Sequence, residues 1–265
     1  MLRGIDHLVV AVPDLAAATK TYRDLGFTAV AGGRHPGVGT ENALIVFRDS
    51  AYLELIAFSE PRPDHRWWAP LQAGGGLVDF CLQTDDLAGD AAALRRAGVH
   101  MDEPEHRSRV RPDGVEVRWV AALARGEQRG VAPFLLAEET GRDERVPPQR
   151  THANGVTGVG CVSVVVSDLA TVRHWYSSAL GVPGQDVACP ELGAVGARFA
   201  IGSHTLELLA PAGAGAVRDW LARRGASPYA ATLVGASRPV PLDLNRTWGA
   251  RLALAGVGPS RGGHA

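Results

Sequence analysis

The stretch "GIDHLVVAVPDL", from Gly4 to Leu15, combines a run of aliphatic residues with the start of a helix. The aliphatic run is short and rich in valine, which is typical of a buried strand. Asp14 stands directly before an alanine-rich segment, where its side chain can cap the first turn of a helix, and Gly26 follows that segment as a stop signal. The stretch therefore predicts a β-strand that leads directly into an α-helix.

The same strand-and-helix pattern occurs twice more in the chain. Asp86 and Gly98 stand 72 residues after Asp14 and Gly26, and Asp168 stands 154 residues after Asp14. Each predicted helix is followed by apolar runs that indicate strands and hairpins. A repeated β-α-β-β-β module explains this arrangement.

A shortened fourth copy begins with the helix-like "AVRDWLARRG" and continues with "YAATLVG" and "ARLALAG". Between the second and third copies, the Pro- and Arg-rich stretch "GRDERVPPQRTHANG" is typical of a linker. We therefore expect an N-terminal pair of modules over residues 1–143, a linker over 144–155, the third module with the shortened fourth over 156–258, and a disordered tail over 259–265.

A four-stranded module with one helix leaves one face of its sheet uncovered. Two such modules bury that face when they pair edge to edge into a strongly curved, half-open barrel with the helices outside. The predicted fold class is therefore α+β, with repeated βαβββ modules paired into half-open barrels. The concave side of such a barrel is the expected place for a ligand.

Composition and charge exclude several classes of partner. The 46% hydrophobic and 21% charged residues are those of a globular protein, and the formal net charge of −1 gives no field that would attract nucleic acid or an anionic membrane. No apolar run approaches the roughly 20 residues of a membrane span, and no signal-peptide pattern is present. Three cysteines at unrelated spacings argue against a disulfide scaffold. We expect a cytoplasmic protein whose partner is a small molecule.

His7 stands out because it lies among aliphatic residues, although a buried neutral imidazole with one hydrogen bond would also explain a single histidine there. The repeat places His7, Asp79 and Cys161 at equivalent positions of three first strands. All three residue types can bind a metal ion. On the last strand of the first module, "YLELIA" contains Glu54, whose counterpart in "TLELLA" is Glu207. A buried glutamate is costly unless it is paired, protonated or bound to a cation.

A second polar segment, "HPGVGTEN", runs from His35 to Asn42. Its two glycines let the backbone approach a ligand, and His35, Thr40 and Asn42 supply hydrogen-bond donors and acceptors. It has no GK[ST] ending, so it does not indicate a phosphate loop. The alternative is a polar hairpin loop whose Asn42 satisfies backbone groups. Arg118 in "VEVRWV" can meet a substrate carboxylate or remain a solvated arginine on a strand face.

The βαβββ repeat, the "DHLVVAV" opening and the "YLELI" strand resemble the vicinal oxygen chelate superfamily, which includes glyoxalase I, extradiol dioxygenases and antibiotic-binding resistance proteins. The stretch "GGRHPGVGTENALIVFRDSAYLELIAF" is similar to the glyoxalase-like branch. The resemblance covers residues 4–256 and is weakest after residue 212. It implies a divalent ion (Zn, Fe, Mn or Ni) in the concave face of a module pair, held here by His7, Glu54 and Asp79. Glu138 is a further candidate, with Ala137 as the alternative inward residue.

By the same resemblance, the protein is a metal-dependent enzyme with lyase, isomerase or dioxygenase chemistry on a small oxygenated molecule. Glu54 is the implied catalytic residue. The substrate-binding residues are then His35, Thr40, Asn42 and Arg118.

The sequence departs from the superfamily pattern at Asp79, where a histidine or glutamine is usual. This departure keeps a second interpretation open, a metal-free protein that binds or sequesters a small molecule, and a third, a scaffold protein with a vestigial site. Cys161 replaces the histidine in the third module, so we expect the C-terminal pair to keep the shape without a metal. Superfamily members commonly form homodimers, but four modules in one chain also permit a monomer.

Overall fold

The computed structural model describes residues 1–256, and the predicted tail over 259–265 lies outside the described residues. The first module comprises β1 (Leu2–Ala11), α1 (Leu15–Asp24), β2 (Val30–His35), β3 (Thr40–Val46) and β4 (Tyr52–Phe58). A short helix, α2 (Trp68–Gln72), connects it to the second module. That module comprises β5 (Gly76–Thr84), α3 (Leu87–Arg96), β6 (Glu105–Val110), β7 (Glu116–Ala122) and β8 (Phe134–Glu138).

The second half begins after a one-turn helix, α4 (Arg142–Arg145). The third module comprises β9 (Gly158–Val165), α5 (Leu169–Leu180), β10 (Gln185–Cys189), β11 (Ala194–Ile201) and β12 (His204–Pro211). Helix α6 (Ala216–Arg224) then leads to the strands of the fourth module, β13 (Ser227–Val234), β14 (Val240–Pro241) and β15 (Leu252–Leu254). In this order, α6 holds the connecting position that α2 holds in the first half.

The three long module helices begin where the sequence pattern predicts. The side chains of Asp14, Asp86 and Asp168 each accept a hydrogen bond from the backbone N–H three residues further on, at 2.9, 3.0 and 3.0 Å. Each bond satisfies one of the N–H groups that the first turn of a helix leaves free. The repeated aspartate therefore fixes the direction in which each helix leaves its strand.

The first two modules form a closed eight-stranded barrel in the order β1-β4-β3-β2-β6-β7-β8-β5. The predicted α+β class and module pairing are confirmed, and the barrel is closed rather than half open. At the closing seam, β2 and β6 pair only through Arg34 and Val110. Gly33 permits this approach, because its φ is +139° and an added Cβ would lie 2.0 Å from the carbonyl oxygen of Val110.

The C-terminal half forms an open seven-stranded sheet in the order β10-β11-β12-β9-β13-β15-β14. It stays open, and its last two strands, β15 and β14, have only three and two residues. Helix α6 covers part of this sheet, where Val217 and Trp220 pack with Val165, Leu209 and Tyr229. No helix in residues 1–256 is long and apolar enough to cross a membrane.

The two halves pack against each other through a shared hydrophobic core. Polar contacts fix their relative position: the backbone N–H of Ile5 donates to Nδ1 of His204 at 2.9 Å, and the hydroxyl of Tyr22 donates to the carbonyl oxygen of Thr247 at 3.1 Å. The interior of the N-terminal barrel faces away from this core, because β-strands alternate their side chains between two faces.

Candidate active site in the N-terminal barrel

The N-terminal barrel encloses a cavity of about 260 Å³. On β4, Tyr52 and Glu54 line this cavity, whereas Leu53 and Leu55 belong to the core on the other face of the sheet, as strand alternation predicts. A larger hollow of about 530 Å³ lies beside α2 and Trp248, but Glu60 is the only ionisable group among its described lining residues. The chemistry therefore concentrates in the smaller, interior cavity.

A β-bulge in β1 brings the side chains of two neighbouring residues together. Ile5 and His7 pair with consecutive residues of β5, so that Asp6 is the extra residue of the bulge. Without the bulge, Asp6 and His7 would point to opposite faces of the sheet. Instead, Nδ1 of His7 lies 2.7 Å from Oδ1 of Asp6. Its other ring nitrogen, Nε2, lies 3.4 Å from Oε2 of Glu54.

Several polar side chains of the cavity lie close to the carboxylate of Glu54. In addition to His7, the side-chain amide of Asn42 donates to its Oε1 at 2.6 Å, and Nε2 of His35 lies 3.9 Å from the same oxygen. Nδ1 of His35 in turn lies 2.9 Å from the hydroxyl oxygen of Thr40. The structure thus brings together five of the residues that the sequence analysis singled out.

The charges in this group are set by its close contacts. Burial disfavours a charged His7, but hydrogen bonds and charges from Asp6 and Glu54 outweigh it and raise the pKa of His7. Burial also opposes ionisation of Glu54, but the His7 contact, the charge of His35 and the amide of Asn42 lower its pKa to about 2. Burial lowers the pKa of His35, and the charge of Glu54 opposes this shift. Glu54 is therefore an anion at neutral pH.

Two arginines of α4 hold Asp6 in place. Nη1 of Arg142 and Nη2 of Arg145 lie 2.5 and 3.1 Å from Oδ2 of Asp6, and Nε of Arg145 lies 2.6 Å from Glu138. Burial alone would raise the pKa of Asp6, but Arg145, His7 and Arg142 hold it well below its usual range. The end of the second module and the predicted linker therefore supply groups that fix Asp6 and, through it, the ring of His7.

Asp79 is engaged elsewhere, although its strand position is equivalent to that of His7. Its Oδ2 lies 2.7 Å from Nη2 of Arg66 and accepts a hydrogen bond from the indole N–H of Trp67 at 2.8 Å. Its Oδ1 accepts from the backbone N–H of Phe80 at 3.0 Å. Because both oxygens are occupied, Asp79 does not join His7 and Glu54.

The register of β8 identifies the residue of the second module that corresponds to Glu54. Glu54 pairs with Val9 of β1, and Phe134 pairs with Cys81 of β5. Val9 and Cys81 are 72 residues apart, so they are equivalent in the repeat. Phe134 is therefore the counterpart of Glu54, and its side chain lines the cavity. Glu138, like its neighbour Ala137, does not hold that position and lies with the arginines of α4.

Arg118 lies outside the cavity. Its side chain is 63% exposed and pairs with Glu116 at 2.7 Å, while the next residue, Trp119, lines the cavity. Two arginines that the sequence analysis missed, Arg107 and Arg109 on β6, do line it. Their spacing of two residues places both on one face of a strand. The sequence of β6 does not show which face is the inner one, because neither face is apolar.

A second group of ligand-type atoms involves Asp6, His7 and Cys81, which lie within 4.8 Å of one another. The oxygens of Asp6 already face His7 and two guanidinium groups. Burial raises the pKa of Cys81 well above its usual range, so a metal ion bound there would have to displace the thiol proton in a buried setting. The group around Glu54 is therefore the better candidate for a metal site.

These features define a member of the vicinal oxygen chelate superfamily, as the sequence resemblance predicted. More narrowly, the chain belongs to the family described as glyoxalase-like domain, whose model matches residues 5–180. Comparison with curated proteins finds no match.

Two solved structures illustrate the shared fold. A hypothetical protein from Staphylococcus aureus is 13% identical, with a TM-score of 0.71 over 97% of this chain and 100% of that chain. A mutant of 4-hydroxymandelate synthase from Streptomyces coelicolor is 18% identical, with a TM-score of 0.59 over 88% of this chain and 72% of that chain. At these identities the likeness establishes the fold and leaves the activity to be argued from the site.

Proposed function

We propose that this chain is a metal-dependent enzyme in which His7, His35 and Glu54 hold a divalent ion and the barrel cavity binds a small oxygenated substrate. The observation that carries this proposal is the approach of two imidazole Nε2 atoms to one carboxylate, at 3.4 and 3.9 Å. Two histidines and one carboxylate form the donor set of non-haem iron oxygenases, and imidazole and carboxylate ligands also suit zinc and manganese.

The remaining atoms of these residues support the same assignment. A metal-bound histidine almost always has its second ring nitrogen bonded to a carboxylate, carbonyl or water, which fixes the ring and its tautomer. Asp6 has this role for His7, and the hydroxyl of Thr40 has a related role for His35. The amide of Asn42 orients the carboxylate. These residues therefore supply donor types that suit a divalent ion.

Asp79, which the sequence analysis expected among the ligands, is not part of this proposed set. Arg66 and Trp67 engage its Oδ2. A metal ion would have to displace both of these contacts. His35, which was expected to bind substrate, supplies the third donor in place of Asp79.

When bound, such an ion acts as a Lewis acid toward adjacent oxygens of a substrate, which suits isomerase, lyase and dioxygenase chemistry alike. We assign Glu54 the role of a ligand rather than a general base, because the Nε2 atoms of His7 and His35 face its carboxylate at 3.4 and 3.9 Å. Trp119 and Phe134 line the cavity and give it apolar surface.

The metal content of protein purified without chelators, then incubated with Fe²⁺, Zn²⁺ or Mn²⁺ and desalted, tests this proposal. We expect about one ion per wild-type chain, as for a single site. The variants His7→Ala and His35→Ala should lose it, whereas His174→Ala, which changes an exposed histidine of α5, should retain it. Wild-type protein without an ion under all three conditions would contradict the proposal.

A metal-free binding protein is the second candidate, and one observation favours it. The raised pKa of His7 and the lowered pKa of Glu54 favour opposite charges on two groups 3.4 Å apart, so each is compensated without an ion. In that case, a ligand raises the melting temperature equally with and without EDTA. A metal-dependent enzyme would instead show a rise in melting temperature with the metal ion alone.

A further inference from the structure

One guanidinium group in the cavity differs from the others in having no carboxylate partner. The other three cavity arginines each lie within hydrogen-bond distance of an acid: Arg66 with Asp79 at 2.7 Å, Arg107 with Glu105 at 2.6 Å, and Arg145 with Glu138 at 2.6 Å. Arg109 makes no such pair with any residue in the described part of the chain.

Arg109 is nevertheless almost fully buried, with 4% of its surface exposed. Its Nη2 donates to the carbonyl oxygen of Arg145 at 2.6 Å, and its Nε has no hydrogen-bond partner among the described residues. Burying a cation is costly unless an anion or several acceptors compensate its charge. One carbonyl oxygen and the charge of Glu54, which forms no ion pair with this guanidinium, are little compensation, so Arg109 is suited to receive an anion from a ligand.

A neutral acceptor lies next to this cation. The amide nitrogen of Asn42 donates to Glu54, while its Oδ1 has no partner among residues 1–256. A Cβ added at Gly32 would lie 2.2 Å from Oδ1 of Asn42 and 3.0 Å from Nη1 of Arg109. Both atoms therefore lie close to one point, where the glycine leaves room for them. A ligand that pairs with both must combine a negative charge with a hydrogen-bond donor.

We infer that the cavity takes a small hydroxy acid, whose carboxylate pairs with Arg109 and whose hydroxyl donates to Oδ1 of Asn42. A planar guanidinium matches a carboxylate in a two-point hydrogen bond. The inference rests on the proposed function in one respect: the ligand hydroxyl held by Asn42 would lie beside Glu54, where the metal ion is proposed to bind. The cavity volume of about 260 Å³ lies below the roughly 300–1,000 Å³ of drug-sized sites, which limits the acid to a small one.

Isothermal titration calorimetry with matched probes tests this inference. The probes are glycolate, lactate and mandelate, their uncharged primary amides, and inorganic phosphate, all measured in EDTA so that the result does not depend on a metal ion. We expect at least one acid to bind roughly 10- to 100-fold more tightly than its amide, the fold-change that corresponds to a charge-assisted hydrogen bond.

Variants then assign this preference to one residue. Arg109→Gln should bring the affinity for the acid down to that for the amide, and Arg109→Lys, which keeps the charge but loses the planar fork, should give an intermediate value. Arg118→Gln is the matched control, because it changes an exposed arginine on the outer face of β7. If Arg109→Gln does not fold, Arg109→Lys carries the test against the same control.

The inference is overturned if no acid binds, if acids and amides bind equally, if phosphate binds more tightly than every acid, or if Arg109 variants bind as the wild type does. Its failure and the failure of the proposed function can be told apart. A preference for acids in a protein that never binds a metal ion would refute the proposed function alone. A metal-binding protein without this preference would refute the inference alone.

Discussion

The two halves of the molecule have the same strand arrangement but place different side chains at the same positions. Both β1 and β9 bulge at the residue before the ligand position, which is Asp6 in the first half and Gly160 in the second. The next residue is His7 in one and Cys161 in the other. The bulge is thus a property of the fold, whereas at this bulge a carboxylate next to an imidazole occurs in β1 and not in β9.

The glutamates of the two halves differ in the same way. Glu207 lies 2.7 Å from Nη2 of Arg198 and accepts a hydrogen bond from the hydroxyl of Ser163 at 3.0 Å. Its cationic partner is a guanidinium, which cannot bind a metal ion because it does not lose its proton. Glu54 instead faces two imidazoles, which can. The fold therefore supplies the position of the glutamate, and the side chains that face it decide whether it can bind a metal ion.

The largest expected difference between the halves is in stability. Asp6→Asn should lower the free energy of unfolding by about 3–5 kcal/mol, because it removes the buried partner of Arg142 and Arg145. Glu207→Gln should change it by less than about 1 kcal/mol, because the side chain of Arg198 is 49% exposed. Urea denaturation of both variants measures this, and equal losses would show that the Asp6 network has no special role.

Metal affinity should separate the halves next. Glu54→Gln should weaken binding of Mn²⁺ more than roughly 100-fold, since changes to outer partners of metal ligands already cost roughly 10- to 100-fold. Glu207→Gln should leave the affinity unchanged. Competition with a chromophoric chelator gives both values. An equal loss of Mn²⁺ affinity in the two variants would show that the ion binds outside the N-terminal barrel or that Glu54 affects its binding only indirectly.

Closure of the barrel should depend on Gly33. Gly33→Ala forces a side chain into a backbone conformation with φ of +139° and against the carbonyl of Val110, so we expect a loss of roughly 1–3 kcal/mol in unfolding free energy. Gly213→Ala in the open half is the control, because an added Cβ there meets no atom within 4 Å. Calorimetric unfolding measures both changes, and a fully stable Gly33→Ala protein would contradict the role of the seam.

The smallest effect is expected from Thr40→Val, which removes the hydroxyl beside Nδ1 of His35 while keeping the shape of the side chain. Metal affinity should fall roughly tenfold, as for other outer partners of ligands. Stability should change by only about 1 kcal/mol, the contribution of one hydrogen bond. A loss of affinity as large as that of Glu54→Gln would mean that Thr40 contacts the ion itself.

The sequence predicted the modules because their signals are local. Each helix is indicated by the aspartate that caps its first turn, namely Asp14, Asp86 and Asp168, and each strand by a short apolar run. Both signals lie within a few residues of the element that they predict. The approach of His35 and Asn42 to Glu54 was also indicated locally. The segment that contains both residues comes directly before the strand of Glu54, and consecutive strands of a hairpin lie side by side.

The parts that sequence reasoning missed depend on contacts between distant residues. Nothing around Asp79 indicates that Arg66 and Trp67 fold back onto it. The buried role of Arg145 was hidden in a stretch whose composition is typical of a linker. The displacement of Asp6 to the side of His7 requires a bulge, which alternating hydrophobicity does not reveal.

Anomalous X-ray diffraction from crystals grown with Mn²⁺ tests the metal site most directly. We expect one strong peak in the N-terminal barrel, roughly 2.0–2.3 Å from Nε2 of His7, Nε2 of His35 and a carboxylate oxygen of Glu54. This expectation is contradicted by a barrel without a peak, or by a peak that lies instead between Asp6 and Cys81 or at Asp79.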